Sequence, residues 1–168
     1  MPDRLTLVLG GARSGKSRHA ERLATALPAP WTYVATAQPL DEEMRARIAA
    51  HRARRAAGWI TVEAPIELAG AIGTAGSGPV LVDCLTLWVS NLLLNGIDMM
   101  DATAALDAAL EARAAPTILV ANEVGLGIVP DNALARAFRD AAGQLNQRLA
   151  ARADRVVFLV AGLPMRVK

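Results

Sequence analysis

The chain of 168 residues has little cysteine, histidine or aromatic content. Its single cysteine, Cys84, excludes an internal disulfide, and two histidines are too few for a histidine and cysteine cluster of the kind that binds zinc. No apolar run approaches the ~18 residues of a membrane-spanning helix, and the first four residues lack the features of a secretion signal. We therefore expect a cytoplasmic protein without a membrane span, and any metal to arrive with a substrate.

The remaining composition is that of an ordinary globular protein. Hydrophobic residues make up 53% of the chain and charged residues 20%, and this length favours one domain over residues 1–168. The net charge of +2 is too small to indicate a nucleic-acid partner on its own. Phosphate groups of a small substrate would explain the local arginine cluster equally well, and we favour that interpretation. The cluster consists of Arg45, Arg47, Arg52, Arg54 and Arg55.

A phosphate-binding loop lies near the start of the chain, with every fixed position of the pattern G-x-x-x-x-G-K-S filled. An apolar run at residues 5–9 leads into it, and a helical pattern follows it, so a glycine-rich turn that matches by chance is the weaker explanation. Glycines let backbone N–H groups converge on a phosphate, Lys16 adds a full charge, and Ser17 offers its hydroxyl to Mg²⁺. The sequence therefore predicts binding of a nucleoside triphosphate with magnesium. The loop comprises Gly10, Gly11, Ala12, Arg13, Ser14, Gly15, Lys16 and Ser17.

Short apolar runs alternate with helix-like segments along the chain. The runs lie at residues 5–9, 32–35, 80–82, 117–120 and 156–160, and they are apolar throughout, as is typical of parallel strands covered on both faces. Asp41 is predicted to cap a helix over residues 42–55, Asp101 a helix that reaches residue 113, and residues 130–132 to open a long final helix. Residues 73–78 are predicted to form a surface loop. The pattern predicts an α/β fold built on a parallel sheet.

A carboxylate, Asp83, ends the apolar run at residues 80–82. In P-loop proteins an aspartate in this position holds magnesium, directly or through water, opposite the serine of the loop. Acidic residues that merely end a strand are common. The phosphate-binding loop makes the metal interpretation the stronger one, and we predict that Asp83 and Ser17 flank the ion.

The sequence leaves two interpretations of His51. It lies seven residues after Met44 and three after Ile48 in the predicted helix, so it shares their apolar face. Such a histidine is usually a packed core residue. A neutral imidazole is also a good nucleophile near pH 7, and neighbouring arginines could offset the charge of a phosphate. For His19, inside the helix after the phosphate loop, we predict a packing or surface role.

Several blocks of residues, in this order and spacing, resemble the bifunctional adenosylcobinamide kinase / adenosylcobinamide-phosphate guanylyltransferases. The phosphate loop alone is shared by many families, whereas the combination of blocks is specific and spans nearly the whole chain. Besides the loop, the blocks are Arg18-His19-Ala20-Glu21, Ala35-Thr36-Ala37, Asp41-Glu42-Glu43-Met44, Arg47-Ile48 with His51, Asn122-Glu123-Val124-Gly125, Gly127-Ile128-Val129-Pro130 and Phe138-Arg139-Asp140.

The resemblance implies a two-step enzyme of cobalamin assembly with a RecA-like, mostly parallel P-loop NTPase sheet, helices on both faces, and a homotrimeric assembly. Such enzymes phosphorylate the aminopropanol hydroxyl of adenosylcobinamide with ATP or GTP. They then transfer GMP from GTP to that phosphate through a GMP-histidine intermediate, giving adenosylcobinamide-GDP and pyrophosphate. By this resemblance His51 is the nucleophile, Lys16 acts in catalysis, and further nucleotide contacts come from Ala35, Thr36, Ala37, Arg52, Ala53, Arg54, Arg55, Glu63 and Asp83.

Two other functions fit part of the pattern. One is a small-molecule kinase in which His51 is only a core residue. The other is a nucleotide-regulated switch or a nucleic-acid-stimulated ATPase. A common GTPase switch carries an Asn-Lys-x-Asp motif that reads the base, whereas Asn122 is followed here by Glu123 and Val124. The sequence therefore argues against a switch.

Overall fold

The computed structural model describes residues 3–39, 41–55 and 57–168, although not the side chains of Glu43, Arg47, His51 and Arg54. Within these residues, no helix combines the length and the apolar character needed to cross a membrane. The strands are β1 (Leu5–Gly10), β2 (Trp31–Ala35), β3 (Trp59–Glu63), β4 (Val80–Asp83), β5 (Thr117–Asn122), β6 (Arg155–Val160) and β7 (Leu163–Arg166). The helices are α1 (Lys16–Thr25), α2 (Glu42–Arg54), α3 (Leu68–Thr74), α4 (Leu85–Leu94), α5 (Met99–Ala112) and α6 (Ala133–Arg152).

The described strands form one sheet in the order β3-β2-β4-β5-β1-β6-β7. All neighbours are parallel except β7, which runs antiparallel to β6. Strand β5 lies between β1 and β4, and the register pairs Gly10 with Asn122 and Asp83 with Val120. Because the carboxyl ends of parallel strands meet at one edge, the phosphate loop, Asn122 and Asp83 are brought to the same edge of the sheet.

The core consists of two clusters of buried residues, one on each face of the sheet. Successive residues of a strand alternate between the clusters: in β4, Val80 and Val82 belong to one and Leu81 to the other. Helix α1 packs in the cluster that contains Leu81, whereas α3, α4, α5 and α6 pack in the other. The predicted α/β architecture with helices on both faces is confirmed. None of the described side chains of α2 belongs to either cluster.

The predicted elements are confirmed in part. Each of the five predicted runs lies in a strand, and Asp41 and Asn132 cap α2 and α6 by accepting hydrogen bonds from Met44 N and Ala135 N. The prediction of Asp101 as a cap is wrong. Asp98 caps α5 instead, because its carboxylate accepts from the N–H groups of Met100 and Asp101. The predicted loop at residues 73–78 is shorter than expected, since α3 continues to Thr74.

Candidate functional site

The phosphate loop joins β1 to α1 and depends on its glycines for its path. Gly15 caps α1 in the left-handed region with φ 92°, where a side chain is strained. At Gly10, an added Cβ would lie 2.8 Å from the carbonyl oxygen of Leu159 and 2.6 Å from Ser14 Oγ. Arg13 also has a positive φ of 54°. The loop therefore needs glycine at Gly10 for space and at Gly15 for conformation.

The polar groups of the loop fit a phosphate. Lys16 is 8% exposed, and its Nζ donates to the Gly11 carbonyl at 2.6 Å, so the ammonium lies over the loop. The hydroxyl oxygen of Ser14 is buried and has no hydrogen-bond partner in the described part of the chain. Buried polar groups are normally paired, so this hydroxyl indicates a missing polar ligand. Together with the N-terminus of α1, these groups form a site suited to an anion.

Ser17 and Asp83 line one cavity together with Lys16. Ser17 belongs to the first turn of α1 and Asp83 is the last residue of β4, so the two oxygen donors come from neighbouring elements at one edge of the sheet. Magnesium prefers oxygen ligands and usually retains waters and substrate phosphates in its shell. Ser17 and Asp83 fit that requirement. Tyr33 Oη donates to Asp83 Oδ2 at 2.9 Å and holds one carboxylate oxygen.

The segment after β2 reaches the same cavity through Ala35 and Ala37, whose side chains line it. Thr36, which lies between them, is fully buried. Its hydroxyl donates to the carbonyl of Cys84 at 2.7 Å and accepts from the Cys84 N–H at 2.8 Å. Thr36 therefore holds the backbone that follows Asp83, and its side chain is already committed to that contact. Burial, with the charge of Asp83, raises the pKa of the Cys84 thiol to about 11, so Cys84 stays protonated at neutral pH.

Helix α2 and the residue after it form a further wall of the cavity through Met44, Ile48, Arg52 and Arg55. Arg52 forms an ion pair with Glu63 at the end of β3. The Arg55 guanidinium carbon lies 3.6 Å from the centroid of the Tyr33 ring, and its Nη1 donates to Thr61 Oγ1 at 2.9 Å. Two positive charges thus border the cavity that the phosphate loop also lines.

The other predicted residues of this region differ in how the structure places them. Glu63 is exposed and borders the site through its ion pair with Arg52, and Ala53 is exposed on α2. The side chains of Arg54 and His51 lie outside the part of the structure that is described. His51 follows Ile48 by three positions in α2 and precedes Arg55 by four. Its role stays a prediction.

Comparisons with known proteins agree with this geometry. A family profile described as cobinamide kinase / cobinamide phosphate guanyltransferase matches residues 6–167. The bifunctional adenosylcobalamin biosynthesis protein CobP of Pseudomonas aeruginosa is 50% identical, and the alignment covers 96% of both chains. The bifunctional adenosylcobalamin biosynthesis protein CobU of Salmonella typhimurium is 46% identical over 98% of this chain and 99% of its own. The chain belongs to this family.

Solved structures of low sequence identity share the fold. The flagellar accessory protein FlaH of Methanocaldococcus jannaschii has a TM-score of 0.56 at 13% identity, over 100% of this chain and 80% of its own. An ATPase from the type III secretion system of pathogenic bacteria has a TM-score of 0.56 at 12% identity, over 97% of this chain and 56% of its own. The RecA-like P-loop NTPase fold, predicted for this family member from its sequence, is confirmed.

The cavity also includes side chains to which the sequence assigned no role of their own. Tyr33 and Asn122 both line it, as do Met44, Ile48, Cys84 and Leu87. Asn122 ends β5 at the same edge as Asp83, a position that a polar residue closing an apolar run could have indicated.

His19 is buried in α1, and burial, with the charges of Arg22 and Arg155, lowers its pKa. This placement agrees with the predicted packing role.

Proposed function

We propose that this chain phosphorylates adenosylcobinamide with ATP or GTP and then transfers GMP from GTP to the resulting phosphate. The observation that carries the proposal is the single cavity between the phosphate loop and α2. Lys16, Ser17 and Asp83 line this cavity together with Arg52 and Arg55. A site with both walls can hold a triphosphate at one end and present α2, which carries His51, at the other.

In the kinase step, the hydroxyl oxygen of the acceptor attacks the γ-phosphorus of the donor. The new P–O bond forms as the bond between the γ-phosphorus and the β,γ-bridging oxygen breaks, and the nucleoside diphosphate leaves with the electron pair. Lys16 neutralises charge on the transferred group and the leaving oxygen. Ser17 and Asp83 would hold magnesium, which supplies further charge neutralisation on the phosphates. Binding and alignment by the chain supply most of the catalysis.

In the transfer step, an imidazole nitrogen of His51 attacks the α-phosphorus of GTP. A P–N bond forms, the bond from the α-phosphorus to the bridging oxygen breaks, and pyrophosphate leaves. A phosphate oxygen of adenosylcobinamide phosphate then attacks the same phosphorus, and the P–N bond breaks to regenerate His51. Arg52 and Arg55, at the α2 wall, are placed to offset negative charge in both half-reactions.

The two steps place different phosphorus atoms at the reacting position. The phosphate loop presents the γ-phosphate to an acceptor, whereas His51 must reach the α-phosphate. Either GTP binds in a second register or the segment 41–58 moves over the donor. Helix α2 suits such a movement, because none of its described side chains is anchored in the two buried clusters.

Assembly as a homotrimer stays a proposal from the resemblance. Exposed aliphatic side chains cluster after β5, where Ile128 is 96% exposed and Leu126, Val129 and Leu134 are also exposed. Apolar surface of this kind is commonly covered by a partner. The cytoplasmic location and the absence of a nucleic-acid partner also remain predictions of the sequence.

Labelling the protein itself tests the proposed function. Incubation with GTP labelled at the α-phosphate and with magnesium is expected to attach label that is acid-labile and base-stable, as a phosphoramidate is. His51→Ala should abolish the label. The matched control is His19→Gln, which changes the only other histidine and should keep the label. A simple kinase would give no label in any of the three proteins, and label retained in His51→Ala would reject His51 as the nucleophile.

A further inference from the structure

Tyr33 touches both walls of the cavity, although no motif of the chain includes it. It is 4% exposed in β2, and its hydroxyl donates to Asp83 Oδ2 at 2.9 Å. The face of the same ring lies against Arg55, with 3.6 Å between the guanidinium carbon and the ring centroid. One side chain thus contacts the carboxylate beside the phosphate loop and an arginine beside α2.

The neighbours of Tyr33 fix its orientation. Trp59 meets the ring edge-on, with centroids 5.9 Å apart and planes at 80°, a favourable geometry for aromatic pairs. Arg55 is itself held from the other direction by its hydrogen bond to Thr61. A guanidinium over an aromatic face is attracted by the ring's negative quadrupole. The tyrosine hydroxyl therefore reaches Asp83 from a ring with little freedom to turn.

In this pair the hydroxyl of Tyr33 donates the hydrogen bond, and a carboxylate oxygen of Asp83 accepts it. Hydrogen bonds to charged groups are stronger than those between neutral groups. The contact with Tyr33 therefore restricts the orientation of the Asp83 carboxylate.

We propose that Tyr33 is a positioning residue that orients the Asp83 carboxylate for magnesium-bound nucleotide and supports Arg55 through its ring. This inference rests on the proposed role of Asp83 beside the metal. Tyr33 does not touch the reacting atoms, and it acts through its two partners. Its hydroxyl contacts Asp83 near the phosphate loop, and its ring contacts Arg55 after α2.

Tyr33→Phe separates the two contacts, because it removes the hydroxyl and leaves the ring under Arg55. In the kinase reaction with adenosylcobinamide and ATP, we expect the magnesium concentration for half-maximal rate to rise by roughly tenfold, the effect of losing one hydrogen bond to a charged group. At saturating magnesium the KM for ATP should stay near that of the unchanged protein. An unchanged magnesium dependence would overturn the inference, and thermal unfolding shows whether the variant is folded.

Two further variants make the result specific. Thr61→Val removes the hydrogen bond from Arg55 to Thr61 Oγ1 without touching Tyr33 or Asp83, and it should leave the magnesium dependence unchanged. Asp83→Asn should raise the magnesium concentration for half-maximal rate at least as much as Tyr33→Phe does. The double variant should match Asp83→Asn alone, because a residue that acts through Asp83 adds nothing once that carboxylate is gone. Additive effects would overturn the positioning role.

The same variants distinguish a failure of the Tyr33 inference from a failure of the proposed role of Asp83. If Asp83→Asn leaves the magnesium dependence unchanged, the proposed role of Asp83 fails, and the Tyr33 inference fails with it. If Asp83→Asn changes the dependence and Tyr33→Phe does not, only the Tyr33 inference is rejected.

Discussion

At the scale of single residues, the site depends on close approach as much as on charge. Gly10 ends β1, and the Leu159 carbonyl oxygen of β6 lies only 2.8 Å from the position that a Cβ would occupy. Gly11, the next residue, has open space around its Cβ position. Gly10 is the fixed first glycine of the motif and Gly11 a variable position, and the space around each Cβ position gives the physical reason for that difference.

Alanine substitution at these two glycines tests that difference. Gly10→Ala should lower the free energy of unfolding by about 1–3 kcal/mol, because the added methyl group forces backbone or Ser14 to shift. Gly11→Ala should change it by less than about 0.5 kcal/mol, as expected away from such contacts. Urea denaturation of the three proteins measures both effects. Equal destabilisation by the two substitutions would contradict this account of the loop.

At the scale of elements, sequence reasoning identified what has a strong local pattern. Five strands are continuous apolar runs and are predicted by the sequence, whereas β3 is at most half-buried, with Ile60 exposed, and β7 is short, contains Pro164 and is exposed along its length. The sequence does not predict helix α4, because this helix is apolar on most of its surface and its apolar residues lack a clear period.

Among the site residues, Asp83 was predicted from its place after an apolar run. Tyr33 was not, because a tyrosine in a buried strand looks like a core residue and its partner lies 50 residues away.

Helix α2 is the element that we expect to move. It carries His51, exposes arginines, lacks described side chains in the buried clusters, and is followed by Gly58 at φ 105°. In hydrogen exchange, amides of the segment 41–58 should become more protected when GTP and magnesium are added. The control is residues 142–149 of α6, whose buried side chains should keep their exchange rates constant. Equal exchange of segment 41–58 with and without GTP would reject the proposed movement.

At the scale of the whole molecule, the sheet order explains how one edge of the sheet can serve two reactions. The carboxyl ends of β1, β4 and β5 bring Lys16, Asp83 and Asn122 to one edge, and β2 and β3 extend that edge to the α2 wall. Tyr33 on β2 contacts groups from both sides. The same cavity can therefore bind the donor nucleotide for phosphoryl transfer and for guanylyl transfer. The central claim is that α2 delivers a histidine to that cavity and that GMP passes through it.

A chase of the labelled protein tests this claim most directly. Protein labelled from α-labelled GTP is freed of nucleotide and mixed with adenosylcobinamide phosphate and magnesium, with no GTP present. We predict that the label moves from the protein to adenosylcobinamide-GDP in a single turnover, at a rate no slower than steady-state turnover. Label that stays on the protein, while added GTP still supports product formation, would contradict the account.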